Sequence, residues 1–140
     1  MNKRSSGILL HVTSLPGREG IGTLGKEAFA WIDLLHETGQ RLWQILPLGP
    51  AGYGNSPYQC YSAFAGNPLL IDLFMLQEEG LLEEADLHRI PAFDQRQVEF
   101  DKIEKWKFPL LRKAFQQFIG ETGKKFNHEY ERFLDENNWW

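Results

Sequence analysis

The stretch LWQILPLGPAGYGNSPYQCYSAFAGNP, residues 42–68, joins a short apolar run to a long uncharged loop. Its first part, LWQILPL at 42–48, predicts a β-strand buried in a parallel sheet, because such strands are apolar on both faces. GILLHV, residues 7–12, predicts a second strand of the same kind. Between them, residues 26–38 carry apolar side chains at helical spacing, and Gly39 follows where a helix would end. Strand, helix and strand in this order predict a right-handed βαβ unit with parallel strands.

The loop at residues 49–68 follows the second predicted strand and carries no charged side chain. Its tyrosines, asparagines, serines and glutamine offer apolar rings and uncharged hydrogen-bonding groups, which suit a neutral, polyhydroxylated ligand such as a carbohydrate. Gly, Pro, Asn and Ser are also ordinary turn residues, and buried tyrosines are common, so composition alone leaves both interpretations open. Position favours function, because loops at the carboxyl ends of parallel strands are where α/β enzymes bind ligands.

The composition places the chain among globular proteins. Its 140 residues are 42% hydrophobic and 14% aromatic, which is enough to form a core. The net charge of -4 and the absence of a basic cluster predict no nucleic-acid partner and no anionic membrane surface. The single Cys60 cannot form an internal disulfide, and the apolar run near the N-terminus is too short for a signal peptide or a membrane span. We therefore expect a cytoplasmic protein.

The second half of the sequence predicts helices. Asp72 can begin a short helix that Gly80 ends, and the acidic residues of LLEEADL at 81–87 suit another helix start. Helical spacing continues from residue 100 to 118, but Pro109 lacks an N–H and predicts a break into two helices. A last amphipathic helix is marked by four apolar positions: Phe126, Tyr130, Phe133 and Leu134. The chain stops at Asn-Asn-Trp-Trp, which predicts a cut through a larger structure.

Two patterns that mimic known sites are disfavoured. GIGTLG at residues 20–25 matches G-x-G-x-x-G, the fingerprint of a dinucleotide-binding oxidoreductase. Here a segment containing Pro16 separates the strand from the glycines, and no acidic residue lies between positions 38 and 71 to hold a ribose. The four histidines show no metal-ligand spacing with each other or with Cys60, so we expect no metal and no cofactor.

Single residues with possible chemistry favour structural roles. His11, at the end of the first predicted strand, could reach a ligand, although a lone histidine there is more often structural. Trp43 fits the core better than a sugar site, and the acidic residues at 78–86 form a solvated helical face. Ser14, Ser56 and Ser62 lack the strand-turn-helix context of a hydrolase nucleophile. No acid and base pair stands out.

Four segments together resemble the 4-alpha-glucanotransferase family, also called amylomaltase or disproportionating enzyme. They are RSSGILLHVTSLPG at 4–17, GIGTLG at 20–25, WQILPLGPAGYGNSPYQ at 43–59 and SAFAGNPLLID at 62–72. Val12 departs from the proline that is frequent in the family, and Cys60-Tyr61 falls at a variable position. The resemblance implies an α/β fold, the N-terminal portion of a (β/α)8 TIM-type barrel with a mostly helical inserted subdomain. Residues 1–72 would supply the first two barrel strands, the crossover helix and the substrate loop, and residues 73–140 a helical subdomain that stops before the third strand.

The resemblance also implies site residues and a ligand. Ser56 and Tyr58 of the S-P-Y signature are expected to line the subsite beside the scissile bond, and Tyr53 a secondary glucan groove. The implied partners are alpha-1,4-glucans and maltooligosaccharides, which explains an uncharged aromatic loop. The oligomeric state is left open.

The implied reaction is a retaining double displacement by an aspartate nucleophile and a glutamate acid. In the family these acids belong to later barrel strands, so we expect none of them here and an inactive 140-residue chain. A non-catalytic carbohydrate-binding module that uses the same tyrosines is the alternative.

Overall fold

The first unit of the fold is a parallel βαβ motif. A computed structural model describes residues 4–140. Strand β1 is Gly7–Leu9, helix α1 is Lys26–Glu37 and strand β2 is Leu42–Gln44. The strands pair in parallel, with Ile8 opposite Trp43, as the sequence predicts.

Both strands are shorter than predicted. After β1, the side chain of His11 accepts a hydrogen bond from the Thr13 amide and starts a 3-10 turn at Val12–Ser14. After β2, the ladder ends with the hydrogen bond from the Leu10 amide to the Gln44 carbonyl, at 3.0 Å. Pro47 could not extend that ladder as a donor, because proline has no amide hydrogen.

The prediction that both strands are buried is wrong for this chain. Leu9 and Leu42 are each 58% exposed. A two-stranded sheet has two edges, and within residues 4–140 no further strand pairs with either of them.

The core of the first unit lies beyond the strand ends. Val12, Leu15, Ala28 and Leu70 are buried together, and Trp43 packs against them. The Trp43 indole donates to the Leu10 carbonyl at 2.8 Å, so its predicted core role is confirmed.

Helix α1 ends as predicted. Thr38 follows the last helical residue, and its hydroxyl donates to the Leu34 carbonyl at 2.7 Å. Gly39 then takes a φ of 73°, the left-handed conformation that often follows a helix.

The GIGTLG segment owes its glycines to close packing. A Cβ at Gly25 would come within 2.0 Å of the Asp72 carboxylate, which accepts a hydrogen bond from the buried Thr23 hydroxyl at 2.7 Å. Gly20 has a φ of 74°, and a Cβ there would overlap the Phe93 ring. These contacts account for the glycines without a bound phosphate.

The chain divides into two compact units. The first contains the residues up to Asp72 together with Ile90–Glu104, and the second contains Leu73–Arg89 and Lys105–Trp140. The assignment of residues 1–72 to barrel strands and of 73–140 to an inserted subdomain stays a prediction.

The second unit is helical. Helix α2, Leu73–Glu78, begins directly after Asp72, and Gly80 follows its end with a φ of 75°. A 3-10 turn at Glu84–Leu87 is capped reciprocally by Glu83 and Asp86, where the sequence predicts a helix start. The buried cluster of this unit consists of Leu73, Leu81, Leu82, Leu87 and Ala114.

The predicted break at Pro109 is wrong. Helix α3 runs without interruption from Phe100 to Phe118. Trp106, on one side of the proline, and Leu110 and Leu111, on the other, pack against the same cluster. Full burial of a side chain of this size is worth about 1.5–3 kcal/mol, so these three partly buried side chains together offset the roughly 3 kcal/mol that an interior proline costs.

The last predicted helix is confirmed. A 3-10 turn at Thr122–Phe126 leads into helix α4, Asn127–Asn137. Phe118 stacks on Phe126 at 5.9 Å and meets Tyr130 edge-on at 5.3 Å, both between ring centroids. Across residues 4–140, no helix is long and apolar enough to cross a membrane.

Candidate functional site

The uncharged segment at residues 49–68, called the tyrosine loop below, is closed on itself by backbone hydrogen bonds. Ala51 and Cys60 form an isolated antiparallel bridge. The Gly52 amide donates to the Gln59 carbonyl at 2.8 Å, and the Tyr61 amide donates to the Pro50 carbonyl at 3.0 Å. The tip of the loop is therefore held in one conformation by its own backbone.

Tyr53 and Tyr58 present their rings to solvent from this closed tip. Tyr53 begins a 3-10 turn, Tyr53–Asn55, in which Gly54 and Asn55 both have positive φ. Tyr53 is 90% exposed and Tyr58 is 73% exposed. Because the backbone that carries these rings is already fixed, contact with a ligand orders only the side chains and costs little further conformational entropy.

Ser56 and Tyr58 lie in the same turn. The Ser56 hydroxyl accepts from the Tyr58 amide at 3.4 Å, and the Ser56 carbonyl accepts from the Gln59 amide at 3.1 Å. The Cys60 thiol donates to the Pro57 carbonyl at 2.9 Å, which adds a side-chain hydrogen bond to the turn. The S-P-Y signature thus forms one hydrogen-bonded turn, in which Ser56 is half-buried and Tyr58 is exposed.

A cavity of about 230 Å³ lies beside this turn, at the carboxyl ends of both strands. Asn55 and Pro57, the two neighbours of Ser56, line it, but Ser56, Tyr53 and Tyr58 do not. Its other walls come from three places in the first unit: His11 with Thr13 and Ser14, residues 46–49 with Ala51, and Asn67 with Leu70 and Phe100. The described lining contains no Asp, Glu, Lys or Arg, so the cavity favours an uncharged ligand.

The His11 side chain lines this cavity and hydrogen-bonds to residues that follow both strands, Thr13 and Pro47. Its Nδ1 lies 2.7 Å from the Thr13 hydroxyl and 3.3 Å from the Thr13 amide, so Nδ1 is the acceptor. Nε2 then carries the hydrogen and donates to the Pro47 carbonyl at 3.4 Å. Both ring nitrogens have partners within the chain, which agrees with the predicted structural role.

No metal centre is formed by the residues from Arg4 onward. They contain no group of three or more His, Cys, Asp or Glu side chains that could hold a metal ion.

Several residues that line cavities were missed at the level of sequence. Asn67 lines the 230 Å³ cavity, and its side chain accepts from the Leu69 amide at 2.9 Å. Thr13 and Ser14 line this cavity and a second one of about 490 Å³. The far wall of the second cavity is residues 94–98, DQRQV, which carry no motif and no periodicity.

Comparison with known proteins gives consistent matches. The sequence profile described as 4-alpha-glucanotransferase matches residues 10–140. The 4-alpha-glucanotransferase of Thermus thermophilus is 46% identical over 137 residues, and that of Synechocystis sp. is 48% identical over 140 residues. A solved amylomaltase from Streptococcus agalactiae in complex with acarbose superposes with a TM-score of 0.89 at 43% identity and covers 98% of this chain.

The match covers nearly all of this chain and a smaller part of each relative. The chain spans 27% of the Thermus protein, 28% of the Synechocystis protein and 28% of the Streptococcus chain. Because the family profile matches residues 10–140 and the relatives are 46–48% identical, this chain belongs to the 4-alpha-glucanotransferase family.

Proposed function

We propose that this chain supplies part of the donor-sugar site of a 4-alpha-glucanotransferase. The complete enzyme would transfer alpha-1,4-glucan segments between maltooligosaccharides by a retaining double displacement, in the cytoplasm. The observation that carries the proposal is the rigid, uncharged tyrosine loop beside an uncharged cavity at the carboxyl ends of two parallel strands. Family membership and the acarbose complex of the Streptococcus amylomaltase support it.

Each residue of the loop has a role in this proposal. Tyr58 places its ring and hydroxyl on the sugar beside the scissile bond, and Ser56 positions the turn and hydrogen-bonds the same sugar. Tyr53, at the tip, contacts glucan in a secondary groove. Exposed tyrosine rings match the apolar faces of glucose units, and their hydroxyls match the sugar hydroxyls.

The proposed architecture of the complete enzyme is a (β/α)8 barrel. In it, β1 and β2 are the first two barrel strands, α1 is their crossover helix, and the helices after Asp72 belong to an inserted subdomain. The parallel pairing of β1 with β2 and their exposed edges support this arrangement.

The 140-residue chain by itself is expected to be inactive. A retaining enzyme needs a carboxylate nucleophile and a carboxylic acid about 5–5.5 Å apart across the scissile bond. Neither kind of side chain is among the described residues that line the cavity beside Ser56. Maltotriose incubated with purified chain should yield no glucose and no longer oligosaccharides by chromatography. A maltodextrin ladder that disappears in Tyr58→Ala would place catalytic carboxylates within these residues and contradict the proposal.

The function itself is tested on the complete protein that carries these residues. Incubation with maltotriose should give glucose together with maltopentaose and longer chains, because the glycosyl group passes to a sugar 4-hydroxyl. Glucan binding without any turnover would instead support a carbohydrate-binding module. Release of reducing sugar without longer products would identify a hydrolase.

A further inference from the structure

The larger cavity of the first unit has no role in the function proposed above. Its volume is about 490 Å³, within the range of small-molecule sites. One wall is formed by residues 13–17, Gly20 and Ile21, and the other by residues 94–98.

The lining of this cavity is rich in groups that bind sugar hydroxyls. The Ser14 hydroxyl can donate and accept hydrogen bonds, the Thr13 hydroxyl can accept while it donates to His11 Nδ1, and Gln97 carries an amide donor and an acceptor. Arg96 adds guanidinium donors, and Pro16 with Val98 adds apolar surface. Asp94 is the one acidic side chain of this lining and Arg96 the one basic side chain. The lining therefore has no net formal charge to select a phosphate or a carboxylate.

The wall at residues 94–98 has a defined conformation. The Glu99 carboxylate accepts from the Asp94 amide at 3.0 Å and pairs with the Lys102 ammonium at 3.0 Å. Lys102 also donates to the Ala92 carbonyl and lies 5.4 Å from the centre of the Phe93 ring. Phe93 and Val98 pack against the buried cluster of Ile21, Leu69 and Ile103.

The two cavities share a wall. Thr13 and Ser14 line the 490 Å³ cavity and also the 230 Å³ cavity beside Ser56. The two cavities are therefore neighbours at these two residues.

We infer that the 490 Å³ cavity is an extended subsite for the same alpha-glucan chain, in which Arg96 and Gln97 bind glucose units remote from the scissile bond. The inference rests on the proposed function, and it assigns to residues 94–98 a role in substrate-length preference. Short substrates occupy only the cavity beside Ser56, whereas longer ones also reach Arg96 and Gln97.

The test compares two substrate lengths in the complete enzyme. The double variant Arg96→Ala/Gln97→Ala should lose about tenfold in kcat/KM for maltoheptaose, as expected from the loss of two hydrogen-bonding side chains. For maltotriose the loss should stay within about twofold. The matched control is Arg112→Ala/Gln116→Ala, which removes the same residue types from exposed positions of α3 that line neither cavity.

A second variant distinguishes loss of the subsite from misfolding. Gln97→Trp should fill the cavity, keep the melting temperature of the parent and still discriminate against maltoheptaose. If the parent enzyme transfers glucan but the variants affect both substrates equally, or affect neither, the subsite is overturned and the proposed function is not. A parent protein with no glucan transfer overturns the proposed function, and the subsite with it.

Discussion

Tyr58 is the residue from which the largest effect on turnover is expected. We predict that Tyr58→Ala lowers kcat as well as raising KM for maltotriose in the complete enzyme, with kcat/KM reduced by about tenfold or more. Contacts at the reacting sugar strengthen in the transition state, whereas remote contacts do not. Ser56→Ala should act in the same direction but more mildly, because Ser56 is half-buried within the turn.

The matched control for Tyr58 lies in the same loop. Tyr61 is also a highly exposed tyrosine, but it lies outside the S-P-Y signature. Tyr61→Ala should leave kcat/KM for maltotriose close to that of the parent. Equal losses in the two variants, or unchanged kcat/KM in Tyr58→Ala, would remove Tyr58 from the site.

Asp86 makes the second unit sensitive to acid. The Lys113 ammonium, which donates to both carboxylate oxygens at 2.8 Å, and the Glu83 amide hold the pKa of Asp86 below its usual 3.8. A lowered folded-state pKa stabilises the fold above pH 3.8, and this contribution is lost as the pH falls through the folded-state pKa.

We therefore predict that Asp86→Asn destabilises the complete protein at pH 6 by about 1 kcal/mol, the typical value of a helix cap. The difference from the parent should shrink below pH 3.8. Thermal unfolding followed by circular dichroism between pH 6 and 2 measures it. Asp135→Asn, the same substitution at an exposed position of α4, serves as control. A difference that stays constant across this range would show that Asp86 does not act through its charge.

At the scale of single residues, the sequence identifies the loop better than the cavities. Ser56, Tyr53 and Tyr58 lie within one contiguous signature, and the fold brings them into one closed loop. Their contacts with a glucan stay a prediction. Arg96 and Gln97 could not be found in this way, because they meet residues 13–17 only through tertiary packing.

At the scale of an element, helix α3 is the case in which the local sequence predicts the wrong structure. Pro109 predicts a break from its own chemistry, but packing on both of its sides keeps the helix continuous. The ends of α1 and α2 were predictable, because Gly39 and Gly80 mark them with left-handed conformations. The strand ends were not, because an apolar run does not reveal where its hydrogen-bond partner stops.

The continuity of α3 leads to a prediction about its stability. Pro109→Ala should raise the free energy of unfolding by about 1–3 kcal/mol, because it restores an amide donor to the helix and removes the clash of the ring. Pro109 is exposed, so alanine leaves no cavity. Urea titration of the complete protein measures the gain, with Gln116→Ala on the same helix as control. A lower midpoint would mean that the proline shapes a bend that the packing needs.

At the scale of the whole molecule, the exposed apolar surface of the first unit predicts association. Leu9 and Leu42 on the strands and Phe29, Ile32 and Leu34 on α1 are all exposed. Open strand edges together with such surface favour contacts between copies.

We predict that the purified 140-residue chain forms oligomers in size-exclusion chromatography or unfolds without a sharp transition in urea. Leu9→Lys/Leu42→Lys should shift it towards monomer, whereas Tyr53→Lys/Tyr61→Lys, at exposed positions of the tyrosine loop, should not. A monomer with one cooperative transition would show that this surface is tolerated in water.

The alternation of the two units along the chain has a consequence for biosynthesis. The first unit needs Ile103, which is fully buried against Ile21 and Leu69, yet the chain passes through Leu73–Arg89 of the second unit before Ile103 is made. On the ribosome, the βαβ segment and the tyrosine loop emerge early, but the core of their unit stays incomplete until Ile103 is synthesised. The opening portion of the second unit meanwhile emerges before Ala114, its buried partner on α3. The first unit is fully synthesised only at Glu104, and the second only after Lys105–Trp140 has followed, so a ribosome stalled between residues 89 and 103 would hold two unfinished cores.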